Sequence, residues 1–478
     1  MDELDALLNV LTRAKNKGWA DAFPDNLYDN YSQRAKHYPR YSGPILTFMR
    51  AMEEARMCMK ALNEVQRQVG KRLRCLRRLS KALVLEDGIK RLPDDVLSIV
   101  IEMAHHSGEF ESSQFPVGVS HVSRRFRRVA LATPSLWTTI HEGYGESQIR
   151  EFISRSGRLD LDVKLHCGYG STSILNDFKD TSYRWSSLDL IEDNAEYLMV
   201  QMGITDLPRL QHLTYTYPVG LSTISMPMLS QVKGWGSLLP AGGRFLSKLT
   251  HVEFNLWEEE AGLESLAATL RSMTNLQDLS FVLEHCTVAD EVPSVDVALK
   301  PRSVHIDRLA ISIHGDMQEY SAVLFDALMH FRPSTLELSM CSIASDKFFF
   351  NSEGDWFPYG SVIKLKIPQT MDVMTTLADV MENCDIVKTV YFDVIKARSP
   401  RWARRQWNDG DWKRIRSLDH LRFTNCDDIT ESEMEALTTQ LLQTEAEKSL
   451  EIISCKMISE DLLLRLQDEV GDGLKWTL

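Results

Sequence analysis

From Ile45 onward the apolar positions Ile45, Phe48, Met52, Ala55, Met59, Leu62, Val65, Val69, Leu73, Leu76 and Leu83 recur every three or four residues. That spacing predicts one long amphipathic helix, or two in line, over 44–87, with Gly70 its weak helix former. Ahead of it, Leu4, Leu7, Leu8 and Leu11 predict a short helix, and the turn formers Phe23-Pro24, Tyr38-Pro39 and Gly43-Pro44 predict an irregular stretch, together filling 1–43. The second half of the long helix is basic, with Arg67, Lys71, Arg72, Arg74, Arg77, Arg78 and Lys81 close together. A solvated face, a nuclear-import signal and a self-association seam through 45–85 are all open readings of that pattern.

Sharper signals fill 88–140. In Arg91-Leu92-Pro93-Asp94-Asp95-Val96-Leu97 the proline suits a first helical position and the aspartates suit the positive end of the helix dipole, so a helix is expected from Pro93. Val96, Leu97, Val100, Ile101 and Ala104 give it an apolar face, and it should stop before Ser107-Gly108. A second helix is expected to carry Val119, Val122, Phe126, Val129 and Ala130 on one side. A third is announced by Thr133 as N-cap and Pro134 as first residue, leading to Leu136-Trp137. Three helices in about 47 residues make a marginal core that needs a partner or neighbour to complete its burial.

The order Leu92-Pro93, Val96-Leu97, Val122-Ser123-Arg124-Arg125-Phe126-Arg127, then Pro134-Ser135-Leu136-Trp137 resembles the F-box, especially the version common in fungal families. Ser123 and Phe126 stand where cysteine and tryptophan are more typical, and residues 107 to 117 read as an insertion. Helical Ile149 to Arg155 followed by Ser156-Gly157-Arg158-Leu159-Asp160-Leu161 is similar to the segment after the module in those proteins. The resemblance implies that Leu92, Pro93, Val96, Leu97, Val122, Phe126, Leu136 and Trp137 form the docking helices for a Skp-type adaptor, and through it cullin.

The period changes at Leu159, Leu161, Val163 and Leu165, which alternate like a half-buried strand within a linking segment, 141–180. Over 181–478 strand-like pieces recur, with anchors Leu188, Leu213, Val232, Val252, Leu279, Leu309, Leu336, Leu365, Val390, Leu421 and Leu450. Their mean separation of about 26 residues lies in the leucine-rich repeat range, although single steps run from 19 to 31. Leu336-x-Leu338-x-x-Cys341, Leu421-x-Phe423-x-x-Cys426 and Leu450-x-Ile452-x-x-Cys455 place a small residue where the chain should turn inward at a strand end. Thr430 and Ser459 then read as N-caps of amphipathic helices. This portion resembles the cysteine-containing repeats joined to F-boxes. The expected fold is therefore α+β to α/β: an N-terminal helical segment and three-helix F-box, followed by a repeat horseshoe.

Composition narrows the function. The net charge of -13 argues against general nucleic-acid binding, which needs a cationic surface. An acidic start, Met1-Asp2-Glu3, and the lack of a long apolar run argue against secretion or membrane insertion, so cytoplasm or nucleus is expected. Eight scattered cysteines form no Cys-x-x-Cys pair, and no nucleophile elbow, phosphate loop or zinc helix occurs. Gly168-Tyr169-Gly170 reads as a plain loop, His105-His106 as a helix end, and His166-Cys167 and His285-Cys286 as strand ends. No catalytic residue, metal or cofactor is expected. Residues out of phase with the buried anchors, namely His251, Glu253, Asp278, Arg308, Lys364, Lys366, Tyr391, Asp393 and Arg422, should face a guest, and their mixed signs suit a protein target. Between Arg398 and Arg416, Arg401, Arg404, Arg405, Lys413, Arg414 and Arg416 alternate with Trp402, Trp407 and Trp412; this reads either as a ligand-binding insertion or as an irregular repeat helix anchored by its tryptophans. The resemblance implies a substrate receptor of a Skp-cullin-F-box ubiquitin ligase. A scaffold that uses the F-box only for adaptor binding, a dispersed-site enzyme, and a nucleic-acid regulator acting through 67–91 and 398–416 are the competing readings.

Overall fold

The computed structural model describes residues 3–17, 42–107, 114–141, 143–165, 179–191, 195–216, 221, 223–240, 243–257, 263–286, 303–315, 324, 327–340, 358–395, 405–442 and 448–477. The chain divides into two compact units, 1–100 and 101–478. Cys341, Gly168 to Gly170, Arg401, Trp402, Arg404 and the turn-rich stretch 18–41 lie outside the described residues. Among the described residues no helix is long and apolar enough to cross a membrane, and no cluster of three metal-ligating side chains occurs.

In the first unit the two expected helices are Glu3–Lys17 and Ser42–Arg91, the second continuous for 50 residues through Gly70. They pack together through Val10 and Cys58, both buried, and through an Arg13–Glu54 ion pair at 2.7 Å. The next helix, Asp94–His106, starts one residue after the expected Pro93, whose carbonyl accepts a hydrogen bond from Leu97 N at 3.0 Å.

The expected second helix of the 88–140 segment is instead two, Phe115–Val122 and Arg124–Leu131. Ser123 adopts extended backbone, φ -161° and ψ 169°, and its hydroxyl accepts from Phe126 N, so it ends one helix and caps the next. The expected third helix is a single 3-10 turn, Pro134–Trp137. Thr133 does not cap it, because its hydroxyl donates back to Val129 O at 2.8 Å.

After this turn the chain climbs through one parallel sheet whose strand order is the order of the sequence. The strands are β1 Thr139–His141, β2 Leu161–Leu165, β3 Trp185–Leu190, β4 His212–Tyr215, β5 Gln231–Trp235, β6 His251–Trp257 and β7 Asp278–Glu284. They continue as β8 Val304–His314, β9 Phe331–Met340, β10 Val362–Pro368, β11 Thr389–Ile395, β12 His420–Thr424, β13 Ser449–Ile453 and β14 Leu474–Thr477. The sequence pattern overlooked β1 and β14, three and four residues long and too short for an alternation to register. The result is an α/β solenoid, each coil resting only on its neighbours.

One row of side chains runs the length of the sheet: Ile140, Val163, Leu188, Leu213, Val232, Val252, Leu279, Leu309, Leu336, Ile363, Val390, Leu421, Leu450 and Leu474 lie side by side in register. All are 3% exposed or less. Ten of the eleven expected anchors belong to this row. Leu365 does not; Ile363 pairs with Leu336 and Val390, while Leu365 lies in a second buried row between Leu338 and Phe392. In that second row Gly234 sits between Tyr215 and Phe254, where a Cβ would come within 2.5 Å of the Tyr215 hydroxyl that donates to Ser237 O. Glycine makes room for the ring there.

Coil length decides what crosses the back. The coils β10 to β14 each carry a helix, Val373–Asn383, Asp409–Ile415, Glu431–Leu442 and Glu460–Val470, whereas the 20-residue step from Val232 to Val252 has room only for a 3-10 turn at Leu246–Lys248. As expected, Ser459 caps its helix through Leu462 N, and Thr430 and Glu433 exchange hydrogen bonds at the start of theirs.

A left-handed residue closes several strands: Gly236, His285, Gly315, Asn425 and Ser454, with φ between 52° and 100°. In four of them the N–H is aimed at the next coil, from Gly236 to Asn255 O, His285 to His314 O, Asn425 to Ile453 O and Ser454 to Thr477 O. Cys286, Cys426 and Cys455 follow three of these residues and are buried. Cys286 thus holds the position expected of Cys426 and Cys455. The motif Phe281-x-Leu283-x-x-Cys286 carried the signal, displaced by one strand pair from the anchor Leu279. The Cys426 thiol donates to Thr424 O at 3.3 Å and the Cys455 thiol to Phe423 O of the preceding coil at 3.8 Å; the neighbouring Cys455 together with burial pushes the Cys426 thiol up.

Candidate functional site

Because side chains alternate along a strand, residues between the buried rows emerge on the opposite face of the sheet. Over β7 to β12 this face forms a groove of about 600 Å³. Arg308, Lys364, Lys366, Tyr391, Asp393 and Arg422, six of the nine residues expected to face a guest, line it, together with Glu337, which the sequence pattern had not singled out. Asp278 borders it through Arg308, whereas His251 and Glu253 lie further along the face, Glu253 paired with Lys233 at 2.8 Å.

Most of these charges are tied to one another. Arg308 bridges Asp278 at 3.2 Å and Glu337 at 2.7 Å, and Glu337 also accepts from Lys364 at 2.7 Å. Four consecutive coils are stitched by this chain of ions. Two coils on, Arg422 pairs with Glu451 and lays its guanidinium over the Tyr391 ring, 4.9 Å from its centre. Asp393 accepts from Asn425 at 2.9 Å. Lys366 has no polar partner among the described residues. Four cations against two carboxylates give the groove a positive balance in a chain of net charge -13. Such a surface attracts anionic groups.

Burial alone would raise the Glu337 carboxyl, but hydrogen bonds from Arg308 and Lys364 outweigh it and hold the group below the usual carboxylate range. Its contribution to folding is therefore complete above the unfolded value near 4.5 and is lost as pH falls through the lowered folded value. Half-exposed as the pair is, the contribution is worth about 1 kcal/mol at most. The difference in melting temperature between the native chain and Glu337→Gln should be constant above about pH 5 and shrink below about pH 4; a difference independent of pH would remove this account.

The Arg/Trp segment lies elsewhere. Arg405 binds Asp379 at 3.1 Å, Glu382 at 2.9 Å and Asp411 at 3.0 Å, and Trp407 donates to Met374 O at 3.0 Å while its ring meets Trp412 at 4.4 Å. These contacts hold Val373–Asn383 against Asp409–Ile415, on the helical side of the coils and away from the groove. Arg404 is outside the described residues. Composition could not separate the two placements, since arginine and tryptophan serve helix packing and interfaces alike.

The residues expected to dock an adaptor divide into three groups. Leu97, Leu136 and Trp137 are buried; Leu92 and Phe126 are half-buried; Pro93, Val96 and Val122 are exposed. Helix Asp94–His106 is apolar on two sides, with Leu97 and Ile101 buried and Val96, Ile99, Val100 and Met103 between 37 and 68% exposed. Ile99 and Met103 had not been singled out, although they follow Val96 at the three- and seven-residue steps of one helical face. His105 stacks on Phe115 at 5.6 Å, and burial followed by the neighbouring His106 lowers its pKa.

No family profile matches the chain, and no curated protein matches it. Among solved structures, the crystal structure of the Rad7 and Elc1 complex in yeast superposes with a TM-score of 0.31 at 12% sequence identity, covering 84% of this chain and 91% of that chain.

Proposed function

We propose that this chain is the substrate-recognition subunit of a Skp-cullin-F-box ubiquitin ligase, its 88–140 segment docking on a Skp-type adaptor and its groove holding a protein target. The observation that carries the reading is the exposed apolar stripe Val96, Ile99, Val100 and Met103 on the helix that follows Leu92-Pro93. Four large side chains left in water on one helical face are unfavourable for the isolated chain, and covering what remains exposed of each is worth about 1 kcal/mol. In this reading the chain contributes no catalytic residue, needs no cofactor, and acts in cytoplasm or nucleus by holding a target near a ligase assembled on cullin.

The test is co-purification of the full chain with a Skp-type adaptor. Val96→Asp with Val100→Asp should reduce adaptor recovery by about tenfold or more while leaving the melting temperature nearly unchanged, because both side chains are exposed. Full recovery with this pair would overturn the assignment. Cullin in the recovered complex separates a ligase receptor from a scaffold that binds the adaptor alone.

A further inference from the structure

Neither the groove nor the adaptor face uses the long helix Ser42–Arg91, which extends for about 75 Å at 1.5 Å per residue. Val10 of the short helix packs beside Cys58, and Arg13 pairs with Glu54, so the described contacts with Glu3–Lys17 fall on its first half. Alongside and beyond them a regular seam stands in water. Met52, Ala55, Met59, Leu62, Gln66, Val69, Leu73, Leu76 and Ser80 follow one another at alternating steps of three and four residues, a heptad pattern of a and d positions. Met52, Met59, Leu62, Val69, Leu73 and Leu76 are between 47 and 60% exposed. Val65 and Leu79, 42 and 60% exposed, widen it on the g side, where they alternate with Arg72.

Charge selects the kind of helix. Residues 65 to 85 contain seven cations and no acid. Arg72 and Arg77 flank the seam at g and e positions, and in a parallel pair of identical chains each Arg72 would meet the other chain's Arg77. An antiparallel pair would bring the same basic segment against a stretch, 50 to 64, whose own Glu53, Glu54 and Glu64 are already paired with Arg56, Arg13 and Arg67. Either self-pairing leaves the arginines uncompensated. An apolar seam edged by Arg72 and Arg77, which have no acidic partner among the described residues, is complementary to an amphipathic helix with acidic flanks.

We propose that residues 52 to 80 are a docking seam for an acidic heptad helix of another protein, paired as a heterotypic coiled coil. This does not depend on the ligase reading, since the seam and the face at Val96 to Met103 are different elements.

The experiment uses the full chain and a fluorescent synthetic 28-residue peptide with leucine or isoleucine at a and d and glutamate at every e and g position, followed by anisotropy. A matched peptide with lysine at e and g is the control. The glutamate peptide should bind at least about tenfold tighter than the lysine peptide, with affinity falling as salt rises. Arg72→Glu with Arg77→Glu should reverse that preference, and Leu73→Asp with Leu76→Asp should abolish binding of both peptides. The side chains are exposed, so circular dichroism should show the same helix content; if the Leu73 and Leu76 pair fails to fold, the reversal at Arg72 and Arg77 decides alone. Equal binding of the two peptides, binding of neither, sedimentation as a homodimer that Leu73→Asp with Leu76→Asp dissociates, or capture by phosphatidylserine vesicles in preference to the glutamate peptide would each overturn the proposal.

Discussion

Replacing Trp137 by alanine should destabilise the protein by about 3 to 5 kcal/mol, seen as a lower denaturant midpoint. The indole is 1% exposed, donates from Nε1 to Ala130 O at 2.8 Å, meets the Phe152 ring edge-on at 4.9 Å and carries the Arg155 guanidinium over its face at 4.6 Å. Alanine would leave a cavity and take one hydrogen bond from the Ala130 carbonyl, which keeps Thr133 N at 3.3 Å. Trp137→Phe keeps most of the ring and loses chiefly the hydrogen bond, so its cost should be about 1 to 2 kcal/mol. β1 begins two residues later, and a solenoid's stability is shared between adjacent coils, so the loss should fray the sheet from that end. An unchanged midpoint for Trp137→Ala would show the ring to be dispensable. Any effect of this substitution on adaptor capture runs through folding, since the side chain is inside.

Asp411→Ala should cost about 3 kcal/mol, read from thermal unfolding. The Asp411 side chain is fully buried, accepts from Asn408 N and Arg405 at 3.0 Å, and lies 3.4 Å from Arg414. It is at once the capping-box partner of Asn408 and an anchor for an arginine that also binds Asp379 and Glu382. Removing it takes away a helix cap and one of the three carboxylates that hold Arg405. Arg405→Glu should be worse, because it sets a fourth carboxylate beside Asp379, Glu382 and Asp411. Loss of target capture in Arg405→Glu would therefore report a disturbed coil rather than a lost contact. A change within about 0.5 kcal/mol for Asp411→Ala would sink this account.

The repeats were legible partly because some strands announce themselves locally. Apolar alternation, a small residue at the strand end and a capped helix are short-range patterns, and they marked β9, β12 and β13 and the helices at Glu431 and Glu460, whereas β3 to β8 rested on the spacing of their anchors alone. Where two neighbouring choices satisfy the same pattern, only pairing decides. In Val362-Ile363-Lys364-Leu365 either apolar residue could be the anchor, and the hydrogen-bonded register with Leu336 and Val390 selects Ile363. Ser123 shows a related limit: its neighbours read as one amphipathic helix, but its hydroxyl can cap, and the chain turns there.

Of the groove, the outward phase of Lys364, Lys366, Tyr391, Asp393 and Arg422 follows from alternation alone, and so was available from the sequence. Glu337 was passed over because its importance lies in joining Arg308 to Lys364, residues 29 positions before and 27 after it. What the order of amino acids settles by itself is which faces of each segment are apolar and where segments start and stop, because helix and strand periods and capping act within a few residues. Which charges neutralise one another, which arginines lie in the groove and which in helix packing, and which apolar faces stay in water were settled only when the coils stacked, because those energies depend on distances between residues far apart in the chain.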